Sequence, residues 1–153
     1  MQRLSKLSLI LFLLAVNSSL FATNGYRNGF IPNQGQWHPK VEYRMSIPSG
    51  AVFLEKDAIT YALFNGKQVA EIHGKAHDHQ HHEAHQHALI DHHALRMHFL
   101  DNRMVEPRSI SPGATKFNYY KGKDRRNWAG GLLAYQEVFY DGFYPQTDLR
   151  VYT

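Results

Sequence analysis

The chain has no cysteine. Disulfide staples and a thiol nucleophile are therefore excluded, and a domain of this size must be held by its own core, a larger parent or a partner. It has no G-x-S-x-G elbow and no G-x-x-x-x-G-K-[ST] loop, so two widespread catalytic signatures are missing. It has little excess charge: 17 Lys and Arg stand against 13 Asp and Glu, a net +4 with neutral histidines. That is too mild a bias for a nucleic-acid partner. No internal repeat is visible. The one long apolar run, Leu7 to Val16, is shorter than the roughly 20 residues that span a bilayer core.

That run fits a secretory signal peptide. Arg3 and Lys6 supply the basic start, Leu7 to Val16 the apolar centre, and Asn17 to Ala22 a more polar exit. The expected organisation is a signal peptide at residues 1–22 and a β domain at 23–153. No transmembrane span is expected after cleavage, and the protein is expected to be secreted or displayed at the cell surface. Cleavage removes two basic residues and no acidic ones, so the mature net charge falls to +2.

What the chain has in abundance is histidine. Ten of its 11 histidines lie between His73 and His98. Imidazole binds borderline transition metals and titrates near neutral pH. His77, His79 and His81 are spaced by two; His81 and His85 are spaced by four; His82 and His87 add further donors. Asp78, Glu83 and Asp91 are candidate oxygen ligands. The H-E-x-x-H pattern fails, because Gln86 stands where the second histidine belongs. The six histidines at 77, 79, 81, 82, 85 and 87 are thus a metal candidate of weak, exchangeable Zn, Ni or Cu binding. It is expected only above about pH 6, where imidazole is neutral. No cofactor is required by the sequence. A solvated loop at 74–91 is the plainer reading of the same composition.

Beyond Thr23 the pattern is β. Val41, Tyr43, Met45 and Ile47 alternate with polar residues; Ala51 to Glu55 and the Ile59, Tyr61, Leu63 stripe follow across short turns. Asn65-Gly66 predicts a tight hairpin returning through Gln68 to Ile72, which would complete a four-stranded antiparallel meander. Leu95 to Phe99, Thr115 to Tyr120, Leu133 to Tyr140 and Asp148 to Tyr152 are further predicted strands. Pro107 to Gly113 is expected to be a loop, and Lys121 to Asn127 a basic turn. The expected fold is all-β, a mainly antiparallel sandwich or curled sheet with a long His-rich loop. The strand pattern still runs at Thr153, so the domain is expected to be incomplete at its C-terminus, the N-terminal part of a larger protein whose downstream domains are its partners.

Three stretches carry a resemblance. They are Phe30-Ile31-Pro32-Asn33-Gln34-Gly35-Gln36-Trp37, then Asn118-Tyr119-Tyr120-Lys121-Gly122 with Trp128, then Tyr135 to Tyr144 leading into Pro145, Asp148 and Leu149. Their order and spacing resemble the N-terminal β domain, of unknown function, of large secreted Bacteroidetes-type proteins. Those proteins carry β-propeller-like repeats and C-terminal sorting or gliding-motility-associated domains. The resemblance implies no catalytic residue and no cofactor. His38 departs from it by standing where that pattern has Asp, and the His tract is denser than in relatives.

The remaining candidates have plain alternatives. Lys121, Lys123, Arg125 and Arg126 beside Trp128 could meet an anionic polysaccharide, or form an ordinary basic turn. Trp37 could stack on a sugar, but a Trp among turn residues more often plugs a core. Glu55, Asp57, Asp141 and Asp148 are carboxylates, and a glycosidase needs two facing each other about 5–10 Å apart, which sequence does not show. The expected function is a non-catalytic structural or adhesion module, with a surface polysaccharide or protein as partner. Metal binding or buffering by the His-rich loop is the first alternative, and a carbohydrate-binding or carbohydrate-active module the second.

Overall fold

A computed structural model describes residues 28–76 and 89–153. The predicted signal peptide lies outside the described residues, as do His77, His79, His81, His82, His85 and His87. The alternating stripes of the first half become neighbouring strands: β1 (Ile31–Pro32), β2 (Tyr43–Ile47), β3 (Gly50–Leu54) and β4 (Ala58–Phe64), with β5 (His92–His98) alongside β4. They form one antiparallel sheet in the order β1-β2-β3-β4-β5. The turn into β3 relies on Gly50, because a Cβ there would collide with the carbonyl oxygen of Ala62 on β4. The second half forms β6 (Arg108–Tyr120), β7 (Trp128–Tyr144) and β8 (Thr147–Tyr152), an antiparallel three-stranded sheet in that order. The fold is thus mainly β, two antiparallel sheets in a sandwich-like arrangement, as the alternation predicts.

Two expectations fail. The Asn65-Gly66 pair does not close a hairpin; it opens helix α1 (Gly66–Ala76). The side-chain oxygen of Asn65 accepts from the amides of Lys67 (3.2 Å) and Gln68 (3.4 Å), which is the work of a helix N-cap. Lys67, Gln68, Ala70 and Glu71 then supply good helix formers where a strand would want β-branched residues. The fourth strand of the meander is therefore β5, not Gln68 to Ile72. Gln68 still fixes it: its amide donates to Asp91 (2.8 Å) and its oxygen accepts from the Asp91 amide (2.7 Å), at the entry to β5. Asn65→Ala is expected to lose about 1 kcal/mol, read as a lower urea midpoint, while Asn65→Asp stays close to the parent.

The second failure is Pro107 to Gly113, which is strand from Arg108 onward. Pro112 is tolerated because β6 is an edge strand, and the register slips between Pro112 and Lys116. Ser111 takes a positive φ of 59° beside it.

The core lies between the sheets. Tyr43, Val52, Leu54 and Ile59 from the first sheet meet Val138, Tyr140 and Phe143 from β7, with Phe30 between them. Phe143 packs edge-on against Phe99, Tyr140 and Tyr144, with ring centroids 5.2, 5.5 and 5.1 Å apart. A satellite cluster of Ile31, Ala129, Leu132 and Ala134 carries Trp37, Phe117 and Tyr119 on its flank. The sheets are stitched directly where Phe30 and Tyr135 exchange backbone hydrogen bonds of 2.8 and 2.9 Å. The apolar face of the first sheet outlasts this cover: Tyr61, Leu63, Leu95 and Met97 remain exposed toward β5.

Candidate functional site

Strand pairing places side chains in rows. Arg44 on β2 opposes Phe53 on β3, Phe53 opposes Thr60 on β4, and Thr60 opposes Arg96 on β5. Opposed residues share a face of the sheet, so these four form one line on the side away from the main core. The next row on that face is Ser46, Ala51, Ala62 and Ala94, all small. A line of large polar and aromatic groups thus stands beside a low floor.

At one end of the line an open cleft of about 440 Å³ is lined by His38, Lys40, Val41, Phe53, Glu55, Thr60 and Arg96. Glu55 is only 7% exposed and would be costly there as a lone charge. Arg96 relieves it with two charge-assisted contacts of 2.9 and 2.6 Å. Arg96 also donates to Nε2 of His98 at 3.0 Å. The Glu55 backbone is fixed as well: its amide donates to Ala58 (2.9 Å), and its carbonyl accepts from the Tyr140 hydroxyl (3.1 Å). Burial holds the Tyr140 phenol well above its usual range, with Glu42, Tyr43 and Glu55 adding to the effect. The phenol therefore stays a neutral donor. Thr60 Oγ1 is buried in this region with no hydrogen-bond partner among the described residues.

The line continues past Phe53. The Arg44 guanidinium lies 5.8 Å from the Phe53 ring centre and 5.7 Å from that of Trp37, within cation–π range of both. Trp37 in turn meets Tyr119 edge-on at 5.1 Å. Its loop is built by Asn33, whose side-chain amide donates to the carbonyls of His38 (3.0 Å) and Val41 (2.8 Å) and whose oxygen accepts from Gly35 (3.1 Å) and Trp37 (3.2 Å). Trp37 is therefore half a core plug and half a rim.

The other sequence candidates do not gather here. Asp141 pairs with Arg108 at 2.8 Å, and Asp148 accepts from the Gly142 amide at 2.7 Å. Asp57 meets the Phe99 amide through its backbone carbonyl. Of the four carboxylates singled out, only Glu55 lines the cleft. In the basic turn, Arg126 is clamped by Asp124, whose carboxyl is held below its ordinary range by that contact. Arg125 covers Trp128 at 5.5 Å. Asp91 is engaged with Gln68. Among the described residues, no three His, Asp or Glu gather as a metal site. No helix among the described residues is long and apolar enough to cross a membrane.

Sequence reasoning named Trp37, His38 and Glu55 separately and passed over Phe53, Thr60 and Arg96. Arg96 alternates with Leu95 and Met97, so its outward direction was legible. What it faces was not. A family model described as a domain of unknown function, DUF7948, matches residues 30–153. No curated protein and no solved structure matches the chain.

Proposed function

We propose, from the premise that the chain belongs to the DUF7948 family, that it is a non-catalytic binding module of a secreted or cell-surface protein. One observation carries this reading. Among the described residues the open cleft has a single buried carboxylate, and that carboxylate is already neutralised by a bidentate arginine. Glycoside hydrolysis needs two carboxyl groups on either side of the bond, one of them free to move a proton. Glu55 and Arg96 supply a rigid, preformed polar surface instead, which suits adhesion. The signal peptide expected from residues 1–22 and the resemblance to N-terminal domains of large secreted proteins support the extracytoplasmic setting.

The test has two parts. In the native host the protein is expected in the extracytoplasmic fraction, processed near Ala22. Incubated with a panel of polysaccharides and peptides, it is expected to release no reducing ends and no new amines. Turnover that disappears in Glu55→Gln would overturn the non-catalytic reading. A full-length, unprocessed chain in the cytoplasm would overturn the setting.

A further inference from the structure

We infer that the cleft and the row beside it bind an acidic polysaccharide, a glycan bearing uronic acid carboxylates; this rests on the binding-module reading above. Lys40 and His38 stand exposed at the rim of the cleft. Arg96 and Arg44 stand in the row behind them, three strand spacings apart, about 14 Å. Glu55 neutralises Arg96; among the described residues no carboxylate pairs with Lys40 or Arg44, and His38 lies beside Lys40 in the cleft lining. A rim of that sign attracts an anionic ligand.

A bare anion fits poorly, because it would meet the Glu55 carboxylate on the cleft wall. A polyol acid fits better. Its hydroxyls can donate to the free lone pairs of Glu55 while its carboxylate lies on Lys40. Phe53 presents a half-buried ring to the cleft, an apolar surface on which a sugar ring face can lie. Phe53 is braced by Arg44, so the platform costs little ordering on binding.

The experiment is calorimetric titration of the full chain with a uronic acid oligosaccharide, its methyl ester, and an oligoglutamate of similar charge. Binding is expected for the acid form and about ten-fold weaker for the ester, since the charge-assisted contacts are lost. It should weaken further as salt screens the rim. Lys40→Gln, a change at an exposed residue, is expected to weaken the acid by about ten-fold and the ester hardly at all. Phe53→Leu, with folding verified by its melt, should weaken both forms alike. The triple change Lys121→Gln, Lys123→Gln, Arg125→Gln should leave affinity unchanged. Equal affinity for acid and ester would overturn the inference, as would oligoglutamate binding as tightly as the glycan. An unchanged Lys40→Gln variant, or loss of affinity in the triple variant, would place the ligand elsewhere and also sink it. Each of these results leaves the binding-module reading standing, whereas turnover of the oligosaccharide would sink that reading itself.

Discussion

Phe143→Ala is expected to unfold the chain or bring it close to unfolding. The ring is 2% exposed and is the hub where Phe99, Tyr140 and Tyr144 meet edge-on. Its removal forfeits apolar burial and three aromatic contacts, and leaves a cavity that rigid neighbouring strands cannot fill. Such truncations cost about 3–5 kcal/mol. A domain typically has only about 5–15 kcal/mol in hand. Urea titration checks this through a lower midpoint with an unchanged slope. Phe143→Leu should lose clearly less. An alanine variant within about 0.5 kcal/mol of the parent, the range of an ordinary surface change, would mean that the two sheets do not meet at this ring.

The second large effect concerns the ion pair. Arg96→Met leaves Glu55 buried without its partner, and breaking a buried pair from one side costs about 3–5 kcal/mol. Arg96 is itself 38% exposed, so water softens the loss, and about 2–4 kcal/mol is expected. The double variant Glu55→Gln, Arg96→Met should recover most of that stability, because no uncompensated charge remains. Thermal melts of the two single variants and the double variant form a cycle whose coupling term isolates the pair. Additive losses would show that Glu55 is better hydrated than its 7% exposure implies.

Strands were legible in this sequence wherever one face is buried. Tyr43, Met45 and Ile47 alternate because the core takes one side of β2, and the same logic found β3, β4 and β8. It failed where local chemistry has two meanings. Asn65-Gly66 reads equally as a type I′ turn and as a cap followed by a helix, and only what comes next in space decides. Pro112 and Gly113 read as a loop because nothing local says that β6 is an edge, where a missing amide is harmless. The cleft was illegible for a different reason. Thr60 and Arg96 are neighbours only through the β4–β5 pairing, and α1 and the His-rich stretch separate those strands in sequence. Register sets who faces whom, and register across a long connection is not written in alternation.

The exchange of hydrogen bonds between Phe30 and Tyr135 gives the molecule a fixed order in time. A chain that emerges from its N-terminus presents Phe30 early, but the groups that secure Phe30 belong to β7, about a hundred positions later. β2, β3 and β4 can pair as they appear, since each is followed at once by its neighbour. The opening segment has to wait, and so does the Trp37 loop that leans on Tyr119. Contacts that close so long a loop come late and slowly. The first residues of the domain are thus among the last to be locked. Until β7 arrives, Phe30 and the segment around it have no partner to hold them, however early β2, β3 and β4 have paired.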